Sequence, residues 1–365
     1  MGSGYRVRLR RILCAVTVIS RAEAARGVML GLLLGDAIAA AEGVTPVGSL
    51  VGTGAGQIAC FTVDALIRDD IRAAHRGVAH QEVAVWTGYR RWGRWQGVLD
   101  PHAPATPPDG WLATVPLLGV ARARPPAIVT ALRAQEAGTL DAPVGSSTAA
   151  DAVTVTLPVG MPFHTDDPGD LARAADGAAG LAAQVAALAY RDQAVTAAAI
   201  AAAAVVTLHH EQSIDAALRA AAAHAEPYRR GTPIPLDTAL DEARAHPFNS
   251  DTLRQLSPDA SAGSALAGAV FAAASARRDA IADAVRFAAA ATPAGCAAPI
   301  TGALLGAAYG PDALPAQLLT RLELAPVGDA LARDLVRQLT ECPAGTEFPA
   351  PTDEHEWERR YPDPW

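Results

Sequence analysis

The chain alternates long apolar stretches, in which alanine is the commonest residue, with short polar segments. Residues 180–208 and 265–291 lack the strict apolar–polar alternation of a half-buried strand, and alanine favours helices that pack closely. Proline and glycine cluster between such windows, which indicates connecting loops, at 100–108, 124–127, 142–146 and 226–235. The pattern therefore predicts an all-α protein, a compact single-domain helical bundle whose helices are buried on most sides.

Composition adds limits on partners and location. The 365 residues carry a formal net charge of −8 with scattered signs and no basic stripe, which disfavours nucleic acid as a partner. The apolar run 194–208 is too short and too rich in alanine to span a bilayer, so we expect a core helix and no membrane partner. The cysteines have no paired spacing, which predicts reduced thiols and a cytoplasmic protein; they are Cys14, Cys60, Cys296 and Cys342.

Both ends of the chain differ from the middle. Residues 6–11 are basic and 12–19 apolar, an order similar to a short signal peptide, but no convincing cleavage site follows. We therefore predict an N-terminal extension at 1–23, a helical domain at 24–341 and a polar, proline-rich tail at 342–365. The tail could be disordered or fold over a neighbouring part of the protein.

Two short stretches carry the strongest family signal, Thr53-Gly54-Ala55-Gly56-Gln57 and Thr292-Pro293-Ala294-Gly295-Cys296. The first stands between Gly31-Leu32-Leu33-Leu34-Gly35-Asp36-Ala37 and Phe61-Thr62-Val63-Asp64. The second runs into a glycine-punctuated apolar segment at 297–310. With these flanks the chain resembles the ADP-ribosylglycohydrolase family over about residues 24–340, and more of that family's landmarks recur in order: Tyr89-Arg90-Arg91-Trp92, Asp109-Gly110-Trp111-Leu112, Leu157-Pro158-Val159-Gly160 and Arg321-Leu322-Glu323-Leu324.

The resemblance implies two magnesium motifs, Thr-Asp-Asp-Thr-Gln and Gly-Asp-x-Asp-Thr. Laid on this chain, the metal-binding aspartates fall at Gly54, Ala55, Pro293 and Gly295, so all of them are absent. Magnesium needs oxygen ligands, chiefly carboxylates, and a lone thiol at Cys296 suits neither magnesium nor zinc. We therefore expect a divergent member of the family with no metal, no cofactor and no magnesium-dependent hydrolysis.

An alternative is that the aspartates have moved elsewhere in the chain. Thr165-Asp166-Asp167 and Ser250-Asp251-Thr252 are the two candidates. Each precedes an apolar run, where Asp, Ser and Thr commonly cap a helix by accepting bonds from its free amide groups. We expect capping at both, because cap chemistry is far commoner than displaced metal ligation.

The same resemblance supplies the remaining candidate pocket residues. Asp36, Thr53 and Gln57 are plausible polar survivors, although Asp36 could be structural, and Glu42 is one residue out of register with the family's acidic residue. Thr154, followed by Val155, stands where relatives have Met-Arg, and Tyr190 stands near the place of a Thr-His pair. Thr292 and Cys296 complete the set. Catalytic residues stay unknown, because Cys296 has no base assignable from sequence and a packed thiol is the favoured interpretation.

Three functions remain open. In the first, the emptied metal cavity binds a less polar small molecule and could transform it without metal, as in a cyclisation or rearrangement of a biosynthetic pathway, through orientation of the reacting groups. In the second, the chain is a pseudoenzyme that binds a nucleotide or a protein partner. The third, an active hydrolase with an atypical metal site, is disfavoured by the missing aspartates. The replacements by small and apolar residues favour the first.

Overall fold

The computed structural model describes residues 19–41, 48–99, 107–210, 213–345 and 355–363. Within these ranges the chain is helical with no β-strand, and its residues form one compact domain. The all-α prediction is confirmed. The α-helices are α1 Arg21–Ala40, α2 Gly54–Arg76, α3 Gln81–Trp95, α4 Pro126–Ala134, α5 Asp151–Thr156, α6 Leu171–Ala187, α7 Gln193–His210, α8 Ile214–His224, α9 Leu236–Ala245, α10 Ser250–Leu256, α11 Ala262–Ser275, α12 Ile281–Ala291, α13 Ala298–Tyr309, α14 Ala316–Leu319, α15 Ala325–Glu341 and α16 His355–Arg360.

Short 3₁₀ helices connect several of these elements: Trp111–Thr114, Pro116–Gly119, Leu157–Phe163, Pro168–Asp170, Glu226–Tyr228, Arg278–Ala280, Pro293–Gly295 and Pro311–Ala313. The predicted windows 180–208 and 265–291 each contain parts of two helices. The first window breaks before α7, where Asp192 has a φ of 51°. A left-handed residue cannot continue a right-handed helix, and no glycine marks the position in the sequence.

The backbones of α1 and α13 lie in direct contact. A Cβ atom on Gly31 would stand 2.0 Å from the carbonyl oxygen of Gly302, and one on Gly35 would stand 2.2 Å from that of Ala298. Because the partner number falls as the α1 number rises, the two helices run antiparallel. The glycines allow this approach, which brings the C-terminal turns of α1 against the first turn of α13.

Helix α7 forms the apolar centre of the fold and packs along α6, α8 and α13. It is the one helix among the described residues that is long and apolar enough to cross a membrane, and 89% of that window is buried inside the protein. Such burial is typical of a core helix. The interpretation of residues 194–208 as a core helix is therefore confirmed.

Capping also follows the sequence expectation, with one correction. Asp167 accepts a hydrogen bond from the amide of Gly169 at 2.8 Å, which caps the 3₁₀ turn before α6. At the start of α10 the cap is not Ser250, Asp251 or Thr252. The Asn249 side chain accepts from the amides of Asp251 and Thr252 instead, because an amide oxygen one residue earlier reaches both free donors.

The predicted domain boundaries stay predictions. Residues 1–18, with the basic and apolar run and Cys14, lie outside the described part of the chain. Ser20 caps α1 together with Glu23 in a capping box. At the other end, α16 lies against the domain, with Trp357 and Tyr361 buried. Cys60 and Cys296 are free thiols.

Candidate functional site

Asp36 is enclosed at the first turn of α2. Its carboxylate accepts hydrogen bonds from the Thr53 amide and the Thr53 hydroxyl, both at 2.7 Å, and from the Gly56 amide. Burial raises the pKa of Asp36, and the bonds from Thr53 and Gly56 oppose that shift. A Cβ atom on Gly56 would lie 2.5 Å from Asp36 Oδ2. The carboxylate thus fills the space that a side chain at position 56 would need.

The free amide groups at the start of α2 are all used inside the protein. The first helical turn normally leaves such donors open to an anion or to water. Their acceptors here are the Asp36 carboxylate for Thr53 at 2.7 Å and for Gly56, the Ala123 carbonyl for Gly54 at 2.7 Å, and the Thr53 hydroxyl for Ala55 at 3.0 Å. This turn therefore offers no open donor to a phosphate group.

Both ends of the Gln57 side-chain amide are bound inside the protein. Its amide nitrogen donates to the carbonyls of Leu117 and Val120 at 3.0 and 2.9 Å, and its oxygen accepts from Trp92 Nε1 at 3.2 Å. The side chain is fully buried. Gln57 therefore anchors the segment 117–120 to α2 and has no group directed at a ligand.

Exposed apolar side chains occur just before the α2 turn in sequence and in the segment 117–120 that Gln57 anchors. Leu117 and Val120 are 36% and 40% exposed, and Val51, just before Thr53, is 37% exposed. These are three of the five large apolar side chains that are exposed among the described residues. We call Val51, Leu117 and Val120 the apolar rim of the α2 turn.

The second motif stretch, residues 292–296, is held by a different set of internal contacts. The Thr292 hydroxyl donates to the Ala288 carbonyl at 2.7 Å and accepts from the Ala297 amide at 3.3 Å. Cys296 is half-buried, and its sulphur lies 4.0 Å from the Asp259 carbonyl oxygen. Burial raises the pKa of the Cys296 thiol. No imidazole or carboxylate among its described neighbours activates this thiol as a nucleophile.

Thr154 and Tyr190 come together at α5. Thr154 is buried in that helix, and the Tyr190 hydroxyl donates to Asp151 Oδ2 at 3.0 Å. Burial raises the pKa of Asp151 and of Tyr190. Asp151 was missed by the sequence reasoning. It precedes the Thr154 landmark by one helical turn, but only the long-range contact with Tyr190 marks it.

The candidate residues thus form three groups around neighbouring elements. The α2 and α13 groups meet through α1, since Gly295 packs on Ala39, one turn beyond Asp36. The α13 and α5 groups are connected through residues 259–261. Cys296 lies next to the Asp259 carbonyl, and Ser261 forms an isolated β-bridge with Ala149, two residues before Asp151. Glu42 lies outside the described residues.

Metal ligands are scarce in this arrangement. No three His, Cys, Asp or Glu side chains form a metal-binding group anywhere in the described ranges. Candidate residues are absent from the lining of the cavity beside Arg68 and Tyr361, the cavity beside Thr196 and Asp237, and the cavity beside Ser213 and Tyr309. The one candidate carboxylate at the α2 turn is already bound by three internal donors.

The fold defines an all-α class of protein built on an antiparallel α1–α13 pair, with its candidate site at the adjoining helix starts. The ADP-ribosylglycohydrolase family model matches residues 17–344. The chain belongs to the ADP-ribosylglycohydrolase family. Among solved structures it is similar to an "ADP-ribosylglycohydrolase-related protein complex", with a TM-score of 0.54 and 20% identity, covering 88% of this chain and 99% of that one. At this identity the likeness shows the fold alone. No curated protein matches the chain.

Proposed function

We propose that this chain has lost the two-magnesium site of its family and does not hydrolyse ADP-ribosyl bonds through metal. The observation that carries this proposal is the lack of room at two of the four aspartate positions. A Cβ atom on Gly54 would lie 2.8 Å from the Ala123 carbonyl oxygen, and one on Gly295 would lie 2.8 Å from Ala39 Cβ. The residues present do not fit magnesium, because Gly54, Ala55, Pro293 and Gly295 have no carboxylate oxygen to bind it. An aspartate at position 54 or 295 would in addition require the backbone to move.

The proposed ligand is a small molecule less polar than ADP-ribose, bound at the apolar rim. Two observations support this class. The paired amides of the α2 turn offer nothing to a diphosphate, and Val51, Leu117 and Val120 offer exposed apolar surface beside it. Burying such surface favours an apolar ligand by about 25 cal/mol per Å². Any reaction of that ligand would depend on its orientation rather than on a metal.

The alternative is a pseudoenzyme that binds a protein through the same rim. It is favoured by the internal pairing of Asp36, Thr53 and Gln57, since a purely structural turn needs no small-molecule pocket. The two functions differ in what occupies the rim. A small apolar probe binds in the first case and finds no pocket in the second.

The loss of metal chemistry is tested by thermal unfolding with Mg²⁺, with ADP-ribose, and with both. A ligand that binds only the native state raises the unfolding midpoint by mass action. We expect no shift in any of the three conditions. A shift that requires both would place a working metal site in this protein and overturn the proposal.

The ligand class is tested by titration with the neutral apolar dye Nile red. We expect saturable binding that Leu117→Ser and Val120→Ser each weaken by roughly three- to tenfold, the effect of removing one buried apolar side chain. Val83→Ser is the matched control, because Val83 is 38% exposed in the first turn of α3, whereas α3 contacts the segment 117–120 at its other end through Gln96. Equal weakening by the control, or no saturable binding, would reject the small-molecule proposal and favour the protein-binding alternative.

A further inference from the structure

The C-terminal segment 355–363 is docked on the domain through aromatic side chains. We call it the clasp. Trp357 Nε1 donates to Gln338 Oε1 on α15 at 2.9 Å, and the Tyr361 hydroxyl donates to Asp334 Oδ2 at 2.5 Å. Both rings are buried, although the clasp lies beyond the family match, which ends at residue 344.

A second set of contacts joins the clasp to α2. Arg68 Nη1 donates to the Pro362 carbonyl at 2.9 Å, and Asp363 pairs with Arg76 at 2.6 Å. The Arg68 guanidinium is buried and also pairs with Asp64 at 2.7 Å. A cavity of about 200 Å³ separates the rest of the clasp from this face of α2. The clasp therefore has polar contacts with α2 at Arg68 and Arg76, beside this cavity.

The third partner of the clasp is the segment 109–111. The Arg360 guanidinium lies 4.1 Å from the centre of the Trp111 ring, a cation–π distance. Gly110 has a φ of 72°, and a Cβ there would lie 2.7 Å from the Arg360 carbonyl oxygen. Arg68 bridges the two segments, because it also donates to Asp109.

The segment 109–120 is thus held at two ends. Its first end is pressed against the clasp, and its second end carries the apolar rim residues Leu117 and Val120 on Gln57. Consecutive 3₁₀ turns connect the two ends, with the Val115 amide bonded to the Leu112 carbonyl and the Leu118 amide to that of Val115. These few residues are therefore the direct connection between Trp111 and the apolar rim residues Leu117 and Val120.

We propose that the clasp positions the apolar rim by holding Asp109 to Trp111, so that the C-terminus of the chain determines the shape of the candidate site. This inference rests on the proposed ligand binding at the rim and adds that a remote segment, the clasp, controls the same site. The test below needs no ligand, so it can fail or succeed independently of that function.

The test is hydrogen–deuterium exchange of the full chain with Arg360→Ala. This change removes the stacking on Trp111 together with the Arg360–Asp334 ion pair at 2.7 Å, and it keeps the Trp357 and Tyr361 side chains with their own hydrogen bonds to α15. We expect the amides of Val115 and Leu118 to exchange roughly five- to tenfold faster, as one lost cation–π contact implies. Arg337→Ala is the matched control, since Arg337 lies over the Trp357 ring at 5.1 Å and does not touch Trp111. The control should leave the exchange rates of the Val115 and Leu118 amides unchanged.

A second variant keeps the test decisive. Trp357→Ala combined with Tyr361→Ala releases the clasp, and release is verified by faster exchange of the Tyr361 amide, which is bonded to the Trp357 carbonyl. Faster exchange at Val115 and Leu118, with α7 unchanged, supports the proposal. Unchanged rim exchange after release overturns it, and so does an equal acceleration in α7, because the proposed effect is confined to the rim.

Discussion

The first turns of α2 and α13 lie against the same end of α1, yet different interactions hold them in place. At α2 a buried carboxylate, Asp36, holds two amides and a hydroxyl. At α13 the bonds come from one hydroxyl, that of Thr292, and the backbone closes on Ala39 at Gly295. The α2 turn depends on an ionisable group, whereas the α13 turn depends on backbone shape.

This difference implies different responses to substitution. A charged acceptor with several donors is costly to remove, because each donor is left unpaired in a buried place. A backbone held at a positive φ tolerates only glycine without strain. The α13 turn should therefore be sensitive to any side chain at position 295, and the α2 turn to the pairing between Asp36 and its neighbours.

The largest effect is expected for Gly295→Ala, which should lower the free energy of unfolding by about 3 kcal/mol. Its φ is 65° and the new Cβ would lie 2.8 Å from Ala39 Cβ, so strain and overpacking add. Gly54→Ala should cost less, about 1–2 kcal/mol, because only the overpacking term applies. Urea unfolding measures both. Gly48→Ala is the control, since a Cβ there meets nothing within 4 Å. Equal costs at 295 and 54 would contradict the comparison.

Part of this arrangement could be predicted from the sequence. Alanine-rich windows are typical of closely packed helices, and the motif stretches at 53–57 and 292–296 mark the regions where α2 and α13 start. The pairing of Gly295 with Ala39 could not be predicted, because it joins residues far apart in the chain. For the same reason the bonds from the Gln57 amide to the Leu117 and Val120 carbonyls could not be predicted.

A smaller effect is expected from Gly56→Ala, and its sign depends on Asp36. Alanine usually stabilises a helix by about 1 kcal/mol over glycine. Here the Cβ would stand 2.5 Å from Asp36 Oδ2, so we expect a loss of about 1–2 kcal/mol instead. In an Asp36→Ala background that contact is gone, and Gly56→Ala should become neutral or stabilising.

The two single variants and the double variant form a thermodynamic cycle for this pair. A coupling of about 1–2 kcal/mol between positions 36 and 56 would support a carboxylate that fills the turn. Additive effects within about 0.3–0.5 kcal/mol would mean that the Asp36 carboxylate moves aside freely. That outcome would also weaken the case against a metal at this turn, because a mobile carboxylate is free to serve as a ligand.

The smallest effect is expected at Cys296, where the comparison concerns reactivity rather than stability. Burial raises the pKa of this thiol, so at pH 7.5 it holds less thiolate than a free cysteine. The rate of alkylation by iodoacetamide, followed by mass spectrometry, should be lower than for a cysteine peptide and should keep rising at pH values where the rate for the peptide has levelled off. Cys60 is the buried reference, with its thiol pKa raised to about 12, and should react more slowly still. Fast alkylation of Cys296 at neutral pH would reveal an activated thiol, and the α13 turn would then be a reactive site rather than a closed one.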